Sequence, residues 1–517
     1  MPAAIEADIL NFYDLDKQGL GSMTMPLSRR HFLRHSALCA ATLSTASLSA
    51  RGATGETQAA IQDANGSSKS LGLTRTLAEW VVQSQASDIP DSVKKEAVRS
   101  IVNSVGVTVG GSSDEAVTAA LRALGPYAGA PKSAIFGRHD RLDPLNAALI
   151  NGISSHVLDF DDTELNTIIH PAGVVACALF ALAGDHPMTG AQFLHAFVLG
   201  TEIECRLGNA IYPSHYDLGW HITATCGAFG AAAACGKVLG LDTQKMVWAL
   251  GTASVQAAGL KVVFGSMGKS FQVGRAAQNG LLSAVLAKQG FTSSDVALEG
   301  VDGYFAAATR HHDDAQLIGH LGEHYEISTN TYKPFPCGIV IHPAIDAAIQ
   351  LNKEFHLKAE DITSIELRAN PLILQLTGKQ APRTGLEGKF SAYHSVAIAM
   401  IRGRVGLPEY SDAAVADPTV VGLRSRVHIT TDLGVRSDEV YMTLKDRNGN
   451  VHEKHVEHAI GSLQRPMADA DIEAKFMGLA VGILPEAQAK SLLESCWKIE
   501  GLQEASAVPT AGASRKV

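Results

Sequence analysis

The stretch ITATCGAFGAAAACGKVLGL, residues 222–241, constrains the fold more than any other part of the chain. It is built almost wholly of small residues, and Lys237 is its one charge. A helix of this kind lets neighbours approach closely, so it belongs inside a bundle of other helices. The sequence is 517 residues long, too long for one hydrophobic core, and two domains are the starting expectation. GAQFLHAFVLGTEIECRLGNAI reads as a helix too. In DSVKKEAVRSIVNSVGVTVGG the apolar positions Val93, Val98, Ile101, Val102 and Val105 recur at helical spacing. Asp91 after Pro90 is the expected N-cap there, and Gly110-Gly111 the expected end.

The texture changes after residue 328. ITSIELRAN, SRVHITTD and DEVYMTLKDRNGNVHEKHV alternate as strands do, and Asn448-Gly449 supplies a hairpin turn. DADIEAKFMGLAVGILPEAQAKSLLESCWKI then returns to helix. The expected fold is mainly α with an inserted α+β domain: a large all-helical domain over 72–328, a smaller α+β lid over 329–460, and a return to the helical domain over 461–505. Residues 506–517 are expected to be a disordered tail. The cleft between the two domains is the default ligand site.

The first 71 residues are of a different kind. Arg29-Arg30 and Phe32-Leu33 precede an uncharged run from Ser36 to Ala50, too short to span a bilayer. This order reads as a twin-arginine export signal within an N-terminal extension, residues 1–53, followed by a polar linker, 54–71. A periplasmic location is the expectation, and a cytoplasmic one its alternative. The net charge of −9, with no basic stripe, argues against nucleic acid as a partner, and no membrane partner is expected. Seven cysteines lie scattered through apolar stretches without a C-x-x-C pair and read as core residues.

Five stretches could carry chemistry. HVLDFDDTELNTIIHPAG places Asp159, Asp161 and Asp162 beside Thr163, with His170 following. A metal reading of this cluster fails, because the acid expected three residues after the aspartate pair is Leu165. Asp161 or Asp162 should instead cap or pair nearby groups. His221 opens the small-residue helix, where the helix dipole favours neutral imidazole. Lys269 stands at a helix start in GSMGKSFQVGRAAQNG, with Arg275 further along. Lys333 and His342 lie in TYKPFPCGIVIHPAIDAA, and Tyr393 and His394 in GKFSAYHSVAIAM. No dinucleotide fingerprint, P-loop or nucleophile elbow is present. Lysines that hold carboxylates, with histidine or aspartate to move a proton, suit proton abstraction next to a carboxylate.

In their order, NGISSHVLDFDDT, HPAG, GWHITATCGAFGAAAACGKVLGL, GKSFQVGRAAQNG, YKPFPCG with HPAID, and KFS resemble the MmgE/PrpD family over about residues 73–497. That family includes 2-methylcitrate dehydratase, cis-aconitate decarboxylase and iminodisuccinate epimerase. The resemblance implies a helical domain with an α+β lid, a homodimer, and catalysis without metal or organic cofactor. It implies catalytic roles for Asp159, Thr163, His170, His221, Lys269 and Lys333. Lys269 and Lys333 would clamp substrate carboxylates, joined by Arg275, Tyr393 and His394. Lys333 would act from the lid, so that closure completes the site. Asp159 and Thr163, four apart, would share one helical face. His394 stands where decarboxylase members carry a tyrosine, which argues against decarboxylation. The expected activity is that of a hydro-lyase on a small di- or tricarboxylate. The alternatives are an epimerase or decarboxylase on a similar acid, and a non-catalytic exported carboxylate-binding protein.

Overall fold

A computed structural model describes residues 72–514. The proposed export signal and linker lie outside the described residues.

Six long helices form the frame of the larger domain: α1 (Asp91–Gly111), α2 (Pro144–His156), α3 (Pro171–Ala183), α4 (Gly190–Ile211), α5 (Ile222–Val238) and α6 (Gly268–Lys288). The small-residue helix α5 is central, packed against α3, α4 and α6. Every residue from Ile222 to Gly236 is buried. The closeness depends on glycine: a Cβ on Gly230 would lie 2.7 Å from the carbonyl oxygen of Gly200 in α4, and one on Gly200 would meet the Gly230 carbonyl at the same distance. Asp91 is the first residue of α1 and not its cap. Pro90 takes the cap position, since its fixed φ and missing N–H suit a helix start.

The smaller domain is a four-stranded sheet with helices on one face. After two short strands at the seam, β1 (Asp162–Glu164) and β2 (Asn330–Tyr332), come β3 (Ile362–Ala369), β4 (Val427–Thr431), β5 (Val440–Asp446) and β6 (Val451–Val456). The sheet order is β4-β3-β5-β6; β4 runs parallel to β3, and the other pairs are antiparallel. Asn448-Gly449 turns β5 into β6, with Gly449 at φ 86°. Alternating positions of β3 and β5 are buried beneath α7 (His342–Phe355) and α8 (Ala392–Arg402). The strands thus lie where the alternation predicts them.

Two features join the domains. β1 pairs antiparallel with β2, Thr163 facing Thr331. Beyond the sheet, α9 (Asp469–Ala480) returns to α1, and Phe476 packs onto Gly106. The chain end departs from expectation. Ala507–Ala511 is a short helix, Val508 and Pro509 are buried, and the Gly512 carbonyl accepts the Gly137 N–H. These apolar residues, read from composition as a tail, cover the core beside Phe136.

Candidate active site

The aspartate cluster is a turn and not a helix. α2 stops at His156, and Asp159 adopts the left-handed conformation at φ 52°, which a short polar side chain tolerates. Asp162 and Thr163 already belong to β1. Asp159 and Thr163 therefore share no helical face, and the chain reversal separates their directions. The Asp159 Oδ1 atom accepts hydrogen bonds from Lys269 Nζ at 2.9 Å and Lys333 Nζ at 2.6 Å. Lys333 Nζ also lies 3.4 Å from Asp161 Oδ1. All of these side chains are buried. Burial raises the Asp159 carboxyl, but Lys269 and then Lys333 outweigh it and hold the group well below the usual range. Burial also lowers Lys269 against the pull of Asp159, whereas Lys333, facing two carboxylates, is raised despite its burial.

Lys333 follows β2 directly, and β2 is laddered to β1 of the helical domain. Lys475 of α9 donates from Nζ to the Lys333 carbonyl at 2.9 Å. Lys333 is thus fastened to the helical domain, and the expectation that it reaches in from a closing lid is corrected. The other two aspartates pair, as expected. Asp161 Oδ2 is hydrogen-bonded to His156 Nδ1. Asp162 Oδ2 accepts from Ser100 Oγ at 2.8 Å and Asn330 Nδ2 at 2.7 Å, pinning the seam. Burial pushes the Asp162 carboxyl up to about 6.

The hydrogen bonds assign opposite tautomers to the two candidate histidines. His170 Nδ1 lies 2.6 Å from the Asp162 carbonyl oxygen, which can only accept, so Nδ1 carries the proton and Nε2 the lone pair. Thr163 Oγ1 sits 3.1 Å from the same Nδ1. His221, at the start of α5, faces the Gln272 amide, with Nδ1 3.2 Å from Nε2 of that side chain. Gln272 Oε1 accepts the Leu260 N–H, which leaves the amide NH₂ pointing at His221. His221 Nδ1 therefore accepts, and its Nε2 bears the proton. Burial holds His170 down to about 3 and His221 well below the usual imidazole range, so both rings are neutral.

Asp159, His170, His221, Lys269 and Lys333 line one cavity of about 40 Å³. Phe264 and Phe390 flank the Lys269 ammonium at 5.4 and 5.2 Å from their ring centres. Ile168 and Tyr216 of the helical domain, with Gly338, Ile339, Val340, Leu376, Thr377 and Phe390 of the smaller domain, complete the lining. Thr163 is buried against His170 and does not line the cavity. Three expected substrate-binding residues lie elsewhere. Arg275 is exposed and bonded to Gln278; six residues past Lys269, it points to another side of α6. Tyr393 and His394 are carried away from the cavity by the first turn of α8, and His394 Nε2 is bound to the Glu409 carbonyl at 2.9 Å.

Several participants escaped the sequence reading. His156 lies under the site, its ring 5.3 Å from that of His170 and 5.7 Å from that of His221, and its Nε2 is buried without a partner among the described residues. Lys389, in the KFS motif, donates to the Leu158 carbonyl at 2.6 Å and holds the aspartate turn from the lid side; burial lowers its ammonium to about 8. Gln272 stood three residues after Lys269, on the same helical face, and that spacing was the available signal. One donor group could in principle take a metal: ligand atoms of Asp159, Asp161 and His170 lie within 4.8 Å of one another. The Lys333 ammonium already sits against both of those aspartates, and Lys269 adds a second positive charge. This chemistry suits an anion better than a cation.

The MmgE/PrpD N-terminal domain model matches residues 75–316, and the MmgE/PrpD C-terminal domain model matches residues 335–499. The chain is 26% identical over 459 residues to cis-aconitate decarboxylase of Homo sapiens, covering 85% of this chain and 94% of that protein. It is 25% identical to the cis-aconitate decarboxylase of Aspergillus terreus over 478 residues, 86% of this chain and 96% of the relative. It is also 25% identical to 2-methylcitrate dehydratase of Cupriavidus necator over 382 residues, 68% and 78% of the two chains.

Proposed function

The chain belongs to the MmgE/PrpD family, its relatives named above are lyases, and on that premise we propose that it is a cofactor-independent hydro-lyase acting on a small di- or tricarboxylate. The observation that carries this reading is the pairing of two buried lysines with two neutral histidines of opposite tautomer around one cavity. In the proposed reaction, substrate carboxylates take the Lys269 and Lys333 ammonium groups that Asp159 otherwise holds. The lone pair on His170 Nε2 removes the proton next to a carboxylate. The electron pair left on carbon forms the double bond as the β-hydroxyl departs. His221 holds that hydroxyl by a hydrogen bond from its Nε2–H, and the proton taken up by His170 passes to the departing oxygen, so it leaves as water. The imidazolium formed at His170 lies 4.0 Å from the Asp161 carboxylate, which favours it. Export through the Arg29-Arg30 segment and assembly as a homodimer are part of the same proposal.

Decarboxylation is the second reading. It is favoured by the span of the two decarboxylases, which match over more of this chain than the dehydratase does. One experiment separates the two. The purified chain, with EDTA in D₂O, is given 2-methylcitrate, citrate, cis-aconitate, malate, tartrate and iminodisuccinate, and proton NMR follows the acids. Water loss supports the hydro-lyase reading, and CO₂ loss replaces it with the second. No turnover or exchange by a protein shown to be folded would remove both.

A further inference from the structure

Two buried histidines of the helical domain are bonded in different ways. His215 is held at both ring nitrogens: Nδ1 donates to the Ala308 carbonyl at 2.7 Å, and Nε2 lies 2.8 Å from the Thr225 hydroxyl. That is how a histidine that only fills a core satisfies its polar atoms. His156 ends α2 and is 1% exposed, yet its one hydrogen bond among the described residues runs from Nδ1 to Asp161 Oδ2. Its Nε2 is buried without a partner among those residues. A half-satisfied imidazole costs stability in a core, so the Nδ1 bond is the reason to keep it.

Asp161 faces three groups at once. His156 takes its Oδ2, and its Oδ1 lies 3.4 Å from Lys333 Nζ and 4.0 Å from His170 Nδ1. Burial raises the Asp161 carboxyl, but His156, His170 and then Lys333 outweigh it and hold the group well below the usual range. Burial lowers His156 against the pull of Asp161, so its ring is neutral. The proton lies on Nδ1, because an ionised carboxylate can only accept. A carboxylate free to turn would offer either oxygen to any neighbour. One N–H fixed at Oδ2 turns Oδ1 toward Lys333 and His170.

We propose that His156 is a positioning residue for the proton transfer at His170. Its Nδ1–H holds the Asp161 carboxylate in place, so the counter-charge of the imidazolium stands ready before the proton arrives. Charge arranged in advance does not have to reorient during the reaction. The inference rests on the reading of His170 as the base. Filling the core would need only an apolar side chain of like volume, whereas positioning needs an N–H at one point.

The test is the pH dependence of kcat in the wild type, His156→Leu and His156→Asn, with an acid of the panel above that the wild type turns over. Leucine keeps the volume and lacks the donor. Asparagine leaves a gap but can bring an amide N–H to where Nδ1 stood. In His156→Leu, kcat should fall about 30-fold, the worth of a hydrogen bond to a charged group, and KM should hold. Asp161 without its donor takes up a proton at higher pH, so the acid limb should move up by about a unit. The other groups facing Asp161 are unchanged in every variant: Lys269, Lys333 and Lys475, His170 and His221, Asp159 and Asp162. His156→Asn should bring both kcat and the acid limb back toward the wild type. A packing role predicts the reverse, with leucine tolerated and asparagine damaging. Wild-type kcat and acid limb in His156→Leu overturn the proposal, as does asparagine no better than leucine. His156→Met, flexible and also without a donor, is read if His156→Leu does not fold. Failure of both to fold assigns the ring to the core and overturns the proposal too. His170→Gln is measured beside them. Turnover that survives it sinks the base reading; turnover lost there but kept in His156→Leu sinks the positioning role alone.

Discussion

The two sides of the candidate cavity are built differently. The helical side supplies Asp159, His170, His221 and Lys269, and it holds Lys333 through the β1–β2 ladder. The sheet side supplies Ile339, Val340, Leu376 and Phe390. The charged and proton-moving groups that line the cavity lie on the bundle, where α5 and its neighbours approach through glycine. Apolar cover lies on the smaller domain. The division teaches that reaction chemistry and substrate fit can be altered separately, since they stand on different domains. A buried charge is costly unless its partners are fixed, and the bundle is the part that can fix them.

Four measurements would break or sharpen this contrast. The largest effect is expected on the helical side. His170→Gln removes the proposed base, and kcat should fall by about 10³ or more with an unchanged circular dichroism spectrum. A loss under tenfold would end the assignment of the base to the bundle. Next is the seam. Lys333→Met leaves Asp159 and Asp161 short of a partner, and breaking such a buried pair costs about 3–5 kcal/mol. Denaturant unfolding should report that loss together with a collapse of turnover; an unchanged midpoint would mean that Lys333 is not a structural tie.

Gln272→Met comes third. It removes the donor that sets the His221 tautomer without touching the cavity lining. We expect kcat to fall about tenfold and KM to hold. A change confined to KM would move Gln272 from positioning to binding. The smallest effect concerns the sheet side. Burial holds His342 down to about 3 in the folded protein, against an ordinary value near 6.5. The unfolded chain takes up that proton as pH falls through 6.5 and the folded chain does not, so stability is lost between pH 6.5 and 3. His342→Leu should flatten the dependence of unfolding midpoint on pH in that window. A slope as steep as that of the wild type would show that His342 is not held neutral.

The helices and strands were legible because each has a clean period. The small residues of α5 announce burial, and the alternation in β3, β5 and β6 announces a sheet. The identities of Asp159, His170, His221, Lys269 and Lys333 were legible from motif order, and the cavity brings these residues together. The shape around them was not. The left-handed turn at Asp159 obeys no periodicity, so a four-residue spacing across it does not mark a shared face. The pairing of 162–164 with 330–332 spans a separation that local pattern cannot show. For the same reason nothing local ties Lys333 to the bundle. The displacement of Arg275 is visible in its spacing, because six residues along a helix turn a side chain to another side. His156 carries no signal of its own, since a single histidine at the end of a buried helix reads as an ordinary core residue.

The position of Lys333 has a kinetic consequence. Because both ammonium groups stand on the bundle beside Asp159 and Asp161, the charges there balance whether or not the smaller domain is drawn in. Under the proposed reaction, capture of an anion would then depend on an exchange of partners at Lys269 and Lys333 on contact, not on attraction from a distance, and would respond little to added salt. Escape would be set by movement of the smaller domain, which takes with it the Lys389 ammonium that holds the Leu158 carbonyl.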